Sequence, residues 1–514
     1  MEKTPNGRIA RQEAPRVIIT TDMEVDDMNS VIHLALYLNH IDLEAMVYTS
    51  SQYHFQGDGV HTLGEINPHW RTKGARSYEW KAVPPEPDPE AGQLTEYRPF
   101  PEGWIERLWT NEYAQAWPTL QANARAAGEP DFPTPEELVS RTYVGNVAFE
   151  GDVRGETPGS NAIKRAILDD DPRTLWLLSW GGMNTIVRAL MSIAEEFRDT
   201  SEWEDVRARV HSKVRVMGVM NGIGQDNSWE DHGKELFPEL VLWRVPFAYG
   251  GYVDAKSAQP DSIDLFRAPW PERMLTQDNG PLMARYMLYG DGKVYENEPE
   301  RFQFGKHATL DWGWPGMEPL RFSPGDFMAE GDSMTYIPLL GFGLRGADDP
   351  SFDTLLGPMF RDGEAPAVDV APMSFDSLGT PATRNVNPFL RAYQEDFAAR
   401  AQWCAHGPET CSHPARVESV SADRAAIAGE RIELTAQVLN PDGAGFDTSW
   451  TVSPHSGSYN GTVDLAEWQA GELDAVFTVP NDAQTGDRFV LALSVRTCAD
   501  RPCTRYAQVA VAVR

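Results

Sequence analysis

The chain has 514 residues, 41% of them hydrophobic, which is ample for a large core and for more than one domain. Its 76 acidic residues outnumber 45 basic ones, giving a formal net charge of -31. That balance argues against a nucleic-acid partner, because a phosphate backbone would be repelled and no basic run offers a docking face.

In chain order, the opening "MEKTPNGRIARQEAP" lacks the apolar centre of a signal peptide. "RVIITT", from Arg16, is β-branched and predicts a strand, and Met28–Leu38 carries helical apolar spacing. "LEAMVYTS" predicts the next strand and "SNAIKRAIL" a helix. "TLWLLSW" predicts a buried strand that runs into Gly181-Gly182, with "MNTIVRALMSIAEEF" as the helix after it and "KVRVMGVM" as a further strand. This alternation predicts an α/β fold, a mostly parallel sheet with helices on both faces, whose ligands sit beyond the carboxyl ends of the strands. Apolar stretches such as "LWLLSW" and "IPLLGFGL" are too short to span a bilayer, so no membrane partner is expected.

Residues 67–140, rich in Pro, Trp, Glu and Arg, and residues 250–325, rich in Pro, Gly and aromatics, interrupt the alternation and predict long excursions over the top of the sheet. The helix "NPFLRAYQEDFAARAQW" closes the first domain near Trp403. After Pro414, segments such as "RIELTAQVLNPDG" and "RFVLALSVRT" alternate apolar and polar residues between turn signals, the pattern of a small all-β sandwich. Cys404 with Cys411 and Cys498 with Cys503 form two local pairs without a zinc-binding pattern, and two short-loop disulfides in an oxidising compartment are expected.

"TTDMEVDDMN" places Asp22, Asp26 and Asp27, with Glu24 as a fourth carboxylate, where an apolar strand gives way to an apolar helix. Carboxylates this close repel one another unless something cationic sits among them. Asp also favours helix amino termini for capping reasons alone. Two further segments fall at element ends: "LSWGGMNTIVRAL" at 178–190 and "EGDSMTYIPLL" at 330–340.

Together these segments resemble the nucleoside hydrolases, whose amino-terminal signature is Asp-x-Asp-x-x-x-Asp-Asp. Thr20 stands where the first Asp is expected, while Asp22, Asp26 and Asp27 match the rest. "WGGMNT", "IGQDNSW", "EGDS" and "YQEDFAARAQWC" are closer to one branch, bacterial nucleoside hydrolase-like proteins described as cellulose-binding that carry a C-terminal β-sandwich. The resemblance implies a nucleoside hydrolase-like domain over 16–404 and an immunoglobulin-like sandwich domain over 414–514. It implies a Ca²⁺ ion held by Asp22, Asp27, Asp332 and the Trp180 carbonyl, with Asp22 as the base for a metal-bound water and Asp26 accepting from a sugar hydroxyl. Asp226 and Asn227 are expected to bind sugar, since they follow a strand end, and Gln52 and His54, with Ser51, are expected to line the site.

The sequence departs from the family where some members place a leaving-group His, since Gly331 precedes Asp332 here. "DNSWEDHG" offers Asp226, Glu230, Asp231 and His232 as substitutes. The expected activity is a calcium-dependent glycosidase acting on a furanosyl or related linkage of a saccharide, in a secreted or periplasmic protein. A non-catalytic cellulose-binding protein is the second reading and a nucleoside N-ribohydrolase the third. A homo-oligomer is compatible with the sequence. The two domains read as separable, so a chain ending near His413 is expected to keep hydrolysing a small substrate if it stays folded.

Overall fold

The computed structural model describes residues 14–73, 87–218, 225–240, 242–246, 249, 262–294, 304–306, 310–312, 320–327, 330–364, 387–459, 461, 463, 465 and 471–514. Strands β1 (Arg16–Thr21), β2 (Asp42–Tyr48), β3 (Thr142–Val144), β4 (Leu175–Ser179), β5 (Val214–Gly218) and β6 (Leu242–Arg244) lie side by side in the order β6-β5-β4-β1-β2-β3. All these pairings are parallel, and the short strand Phe360–Arg361 joins antiparallel on the β6 edge.

The sheet is buried on both faces, which is why its strands read as continuous apolar runs. Val17 and Ile19 of β1 enter one core and Ile18 the other; Trp176 and Leu178 of β4 part in the same way from Leu175 and Leu177. The first core is closed by helix α1 (Val25–Ala35) and by the helix Leu390–Trp403, the second by the helices Pro158–Leu168 and Asn184–Phe197. One bulge interrupts β2, where the pairing steps from Val17–Leu43 to Ile18–Ala45. The extra residue, Glu44, accepts a hydrogen bond from Arg16 Nε at 2.7 Å.

Two expected elements shift. Helix α1 begins at Val25, so Asp26 and Asp27 fall in its first turn, where the helix dipole favours negative charge. The first excursion is more regular than its composition implies: Trp104–Leu108 runs through a wide π turn, Trp109–Tyr113, into the helix Ala114–Ala127. Ile105, Leu108, Trp109, Tyr113 and Leu120 of this helix are buried in the first core, which explains the aromatic content.

The C-terminal strands form separate small sheets around a third core that includes Trp450, Phe477, Phe489 and Leu491, the immunoglobulin-like sandwich. Its strand Thr504–Val513 also reaches the first core's helices through charge. Arg505 donates to Asp396 at 2.7 Å and to Glu129 at 3.0 Å, and Arg400 donates to Glu129 at 2.6 Å and to Asp396 at 3.0 Å. All four cysteines are free thiols, in place of the two expected disulfides. Cys404 and Cys411 donate to the carbonyls of Arg400 and His406, and Cys498 is exposed while Cys503 is buried, so that pair faces different surroundings.

Burial alone would raise Glu129, but the charges of Arg400, His40 and Arg505 outweigh it and hold this carboxylate well below its ordinary value of 4.5. A depressed folded-state value stabilises the fold above the unfolded-state value and is lost as pH falls through the folded one. Unfolding midpoints in urea are therefore expected to fall as pH drops below about 4.5. Glu129→Gln should flatten that limb, and an identical acid limb in both proteins would take Glu129 out of the account.

Candidate metal centre

The strand-to-helix turn after β1 is built for close packing of charge. Met23 adopts a left-handed backbone, with φ 60°, between Asp22 and Glu24, and its N–H donates to Thr21 Oγ1 at 3.1 Å. Such conformations cost about 1–3 kcal/mol in a non-glycine residue and cluster at functional sites. The same Thr21 hydroxyl donates to Asp27. Asp22, Asp27 and Asp332 are almost wholly buried.

Asp26, Asp27 and Asp332 each bring a carboxylate oxygen within 4.8 Å of the others. Asp332 comes from a 3-10 turn, Asp332–Thr335, rather than from the start of a longer helix. Asp22 stands beside this triad with both oxygens buried and without a well-formed hydrogen bond, and so does Asp332 Oδ2. Burial, with Glu24 nearby, pushes Asp22 up to about 8, although the Ser51 hydroxyl and the Glu24 N–H lie near enough to lower it slightly against its burial. Burial first, and then neighbouring carboxylates, hold Asp26, Asp27 and Asp332 well above the ordinary range. Buried oxygens without well-formed hydrogen bonds, in a group of like charges, fit a hard cation, which takes oxygen ligands and offsets the repulsion. Of the ligands expected from sequence, Asp27 and Asp332 fall in this triad; Asp26, expected to meet a sugar hydroxyl, is the third member, with Asp22 adjacent.

The β4 end is shaped by the same crowding. A Cβ on Gly181 would lie 2.9 Å from Asp22 Cβ, and one on Gly182 would lie 2.4 Å from both Asp226 Oδ2 and the Ser50 carbonyl. Two glycines in succession let the backbone after Trp180 lie against the carboxylates. The Trp180 side chain points into the core and its Nε1 donates to Thr335 Oγ1 at 2.7 Å. At position 331, a Cβ would come within 2.3 Å of Asp26 Oδ2, so a side chain there would require the Asp26 carboxylate to shift.

The expected sugar-binding residues divide. His54 lies near the group, with Nε2 at 3.9 Å from Glu24 Oε1 and Nδ1 paired with the Arg98 carbonyl at 2.7 Å. Burial, then the Arg98 charge, lower His54 well below 6.5 and keep it neutral at pH 7. The Gln52 N–H donates to the Gln225 carbonyl at 2.9 Å, so this residue ties the loops after β2 and β5. Asp226 and Asn227 are engaged in holding loops. Asp226 accepts from the N–H groups of Asn184 and Ser228 and from the Ser228 hydroxyl at 2.7 Å. Asn227 exchanges hydrogen bonds with Asn67 and donates to Asp231. Glu230 and Asp231 pair with Arg71 and His69 at the rim.

Sequence reasoning missed Arg98. It comes from the first excursion with φ 45°, is 3% exposed in its side chain and reaches Glu24 at 3.3 Å, placing a cation beside the carboxylates. No local pattern in "TEYRPF" marks it; only the fold brings it there.

No curated protein matches the chain. One solved structure, a nucleoside hydrolase-related hypothetical protein from Saccharophagus degradans that is associated with carbohydrate metabolism, superposes with a TM-score of 0.64 at 22% identity, covering 98% of this chain and 100% of that one. At that identity it shows the shared fold. A titin M7 domain aligns to 20% of this chain and 94% of its own at 10% identity, and its TM-score of 0.14 carries no argument. The family model described as "Cellulose-binding Sde182, nucleoside hydrolase-like domain" matches residues 16–357, most of the chain. The chain belongs to that family of nucleoside hydrolase-like proteins.

Proposed function

We propose that this protein is a calcium-dependent glycoside hydrolase that acts on a furanosyl or related linkage of a saccharide. The cellulose-binding description of its family, and not its free cysteines, supports a place outside the cytoplasm. The observation that carries the reading is the Asp26–Asp27–Asp332 triad with the fully buried Asp22 beside it, a cluster of carboxylates without a matching set of donors. Asp27, Asp332 and Asp26 would hold a cation, with the Trp180 carbonyl as the further expected ligand. A cation there would compensate their charge and lower the pKa of a bound water. Asp22 then accepts the proton of the attacking water at a carboxylate oxygen. The surrounding carboxylates stabilise positive charge developing on the sugar. Glu24, Arg98 and His54 lie close to one another and would border the sugar; with Nδ1–H donating to the Arg98 carbonyl, the neutral His54 would offer Nε2 as an acceptor. Neutral sugars suit a site so rich in carboxylates.

The second reading, a saccharide-binding protein without turnover, is favoured by Gly331, which stands where some nucleoside hydrolases carry a leaving-group His, and by the cellulose-binding description of the family. Under either reading the saccharide is recognised at this site. Among the described residues, the strongly exposed large apolar side chains are Val60, Val144, Val294, Ile427 and Leu439, none of them an aromatic platform for a flat crystalline face.

The cation has a direct test. Added calcium at about 100 times its dissociation constant should stabilise the parent by about 2.7 kcal/mol, read as a rise in melting temperature. Asp27→Ala should lose both that rise and the metal that copurifies without chelator. Equal calcium content in the two proteins would remove Asp27 from the site. Screening nitrophenyl furanosides, nucleosides and insoluble cellulose with calcium present separates the hydrolase, the nucleosidase and the binder.

A further inference from the structure

Behind the carboxylates lies a buried polar cluster that the chemistry above does not use. His33 sits on α1, the helix that carries Asp26 and Asp27 in its first turn. It is fully buried and stacked on Phe397, with ring centroids 3.6 Å apart. Its Nδ1 donates to the Glu330 carboxylate at 2.8 Å, and the Tyr286 hydroxyl donates to the same carboxylate at 2.8 Å. The Tyr393 hydroxyl, from the helix Leu390–Trp403, donates to His33 Nε2 at 3.0 Å. These partners satisfy both ring nitrogens in one tautomer.

Glu330 is fully buried and stands two residues ahead of Asp332. Asp332 is gripped from its other side as well, because Thr335 Oγ1 donates to the Asp332 carbonyl at 2.8 Å while receiving the Trp180 indole N–H. Between the two anchors stands Gly331, which has no side chain to hold its own position and leaves the backbone free to turn. Release of Glu330 would therefore loosen one of the two holds on the Asp332 segment, whereas the triad needs the Asp332 carboxylate within 4.8 Å of Asp26 and Asp27.

We propose that His33, Glu330 and Tyr393 are positioning residues that hold Asp332 at the cation site, so that ion affinity depends on a helix that contributes no ligand. The assignment rests on the cation reading given above. Partners behind metal ligands commonly set affinity in this way.

The test uses the full-length protein with Tb³⁺, excited through tryptophan, with Ca²⁺ as competitor. His33→Leu should weaken Tb³⁺ binding by about tenfold or more, and luminescence lifetimes in H₂O and D₂O should show roughly one added coordinated water as Asp332 disengages. Tyr393→Phe removes one hydroxyl, keeps the ring packing and should shift both readouts in the same direction by less; it decides the matter if His33→Leu does not fold. A lowered melting temperature with unchanged affinity and hydration would mean that the cluster is only structural, and would overturn the proposal. A parent that takes up no Tb³⁺ overturns it together with the cation reading. A parent that binds while both variants match it overturns the positioning role alone.

Discussion

Asp22→Asn is expected to cut turnover of a cleaved glycoside by about 10²–10⁴-fold while leaving saccharide binding largely intact. The amide nearly matches the carboxylate in size, so the close approach of Gly181 is preserved. It keeps an oxygen beside the triad but has no place for the proton taken from water. Asp22 is the residue to test because the cation can be ligated by Asp26, Asp27 and Asp332 without it. Asp27→Ala should fail differently, losing the ion first and activity as a consequence. A variant with the parent's rate would sink the role given to Asp22. A metal-loaded parent that binds a saccharide and cleaves no member of a broad glycoside panel would put the binding reading first.

The site was legible in sequence where the signal is local. Asp22, Asp26 and Asp27 share one strand-to-helix turn, and the alternation of strands with helices announces the parallel sheet that puts such turns at one edge. Asp332 lies hundreds of residues away, and only its resemblance to a family segment links it to the others. Arg98 carried no signal of either kind, and Glu330, although it opens the quoted "EGDS" segment, has no role there that sequence assigns. Arg98 depends on a left-handed backbone in a long excursion, and Glu330 depends on His33 and Tyr286 reaching it across the core. Asp226 shows the converse. Its place after a strand suited a ligand-binding role, but the amide of Asn184 and the groups of Ser228 lie close enough to engage its oxygens. Hydrogen-bond partners of that sort are a property of packing, and linear spacing does not reveal them.

The same lesson bears on the expectation that a chain ending near His413 keeps hydrolysing a small substrate if it stays folded, because the contacts across that point decide whether it does. A chain ending at His413 would leave buried Glu129 and Asp396 without Arg505, and Glu395 without the two hydrogen bonds from Arg496 at 3.0 Å. It would also remove the backbone bond from the Tyr506 N–H to the Phe342 carbonyl at 2.7 Å and uncover Phe352, which packs on Val490 and Ala510. Arg400 stays on both Glu129 and Asp396, but two buried anions would then share one guanidinium. Breaking a buried pair outright costs about 3–5 kcal/mol, which is the upper bound here. The truncated chain is therefore expected to be insoluble or to melt far below the parent. Arg505→Ala should reproduce part of the loss, up to about 3 kcal/mol, since its side chain is 11% exposed and both of its carboxylate partners are buried but keep Arg400. Arg345→Ala provides the contrast: its bridge to Asp423 is 39% and 43% exposed at the two ends and contributes about 1 kcal/mol or less. Thermal and urea unfolding of these proteins would decide. A truncated chain with the parent's midpoint and metal content would show that the two parts fold independently. A large loss confined to Arg505→Ala and the truncation would make the sandwich a brace for the helix Leu390–Trp403, and through Tyr393 on that helix, for the cation site itself.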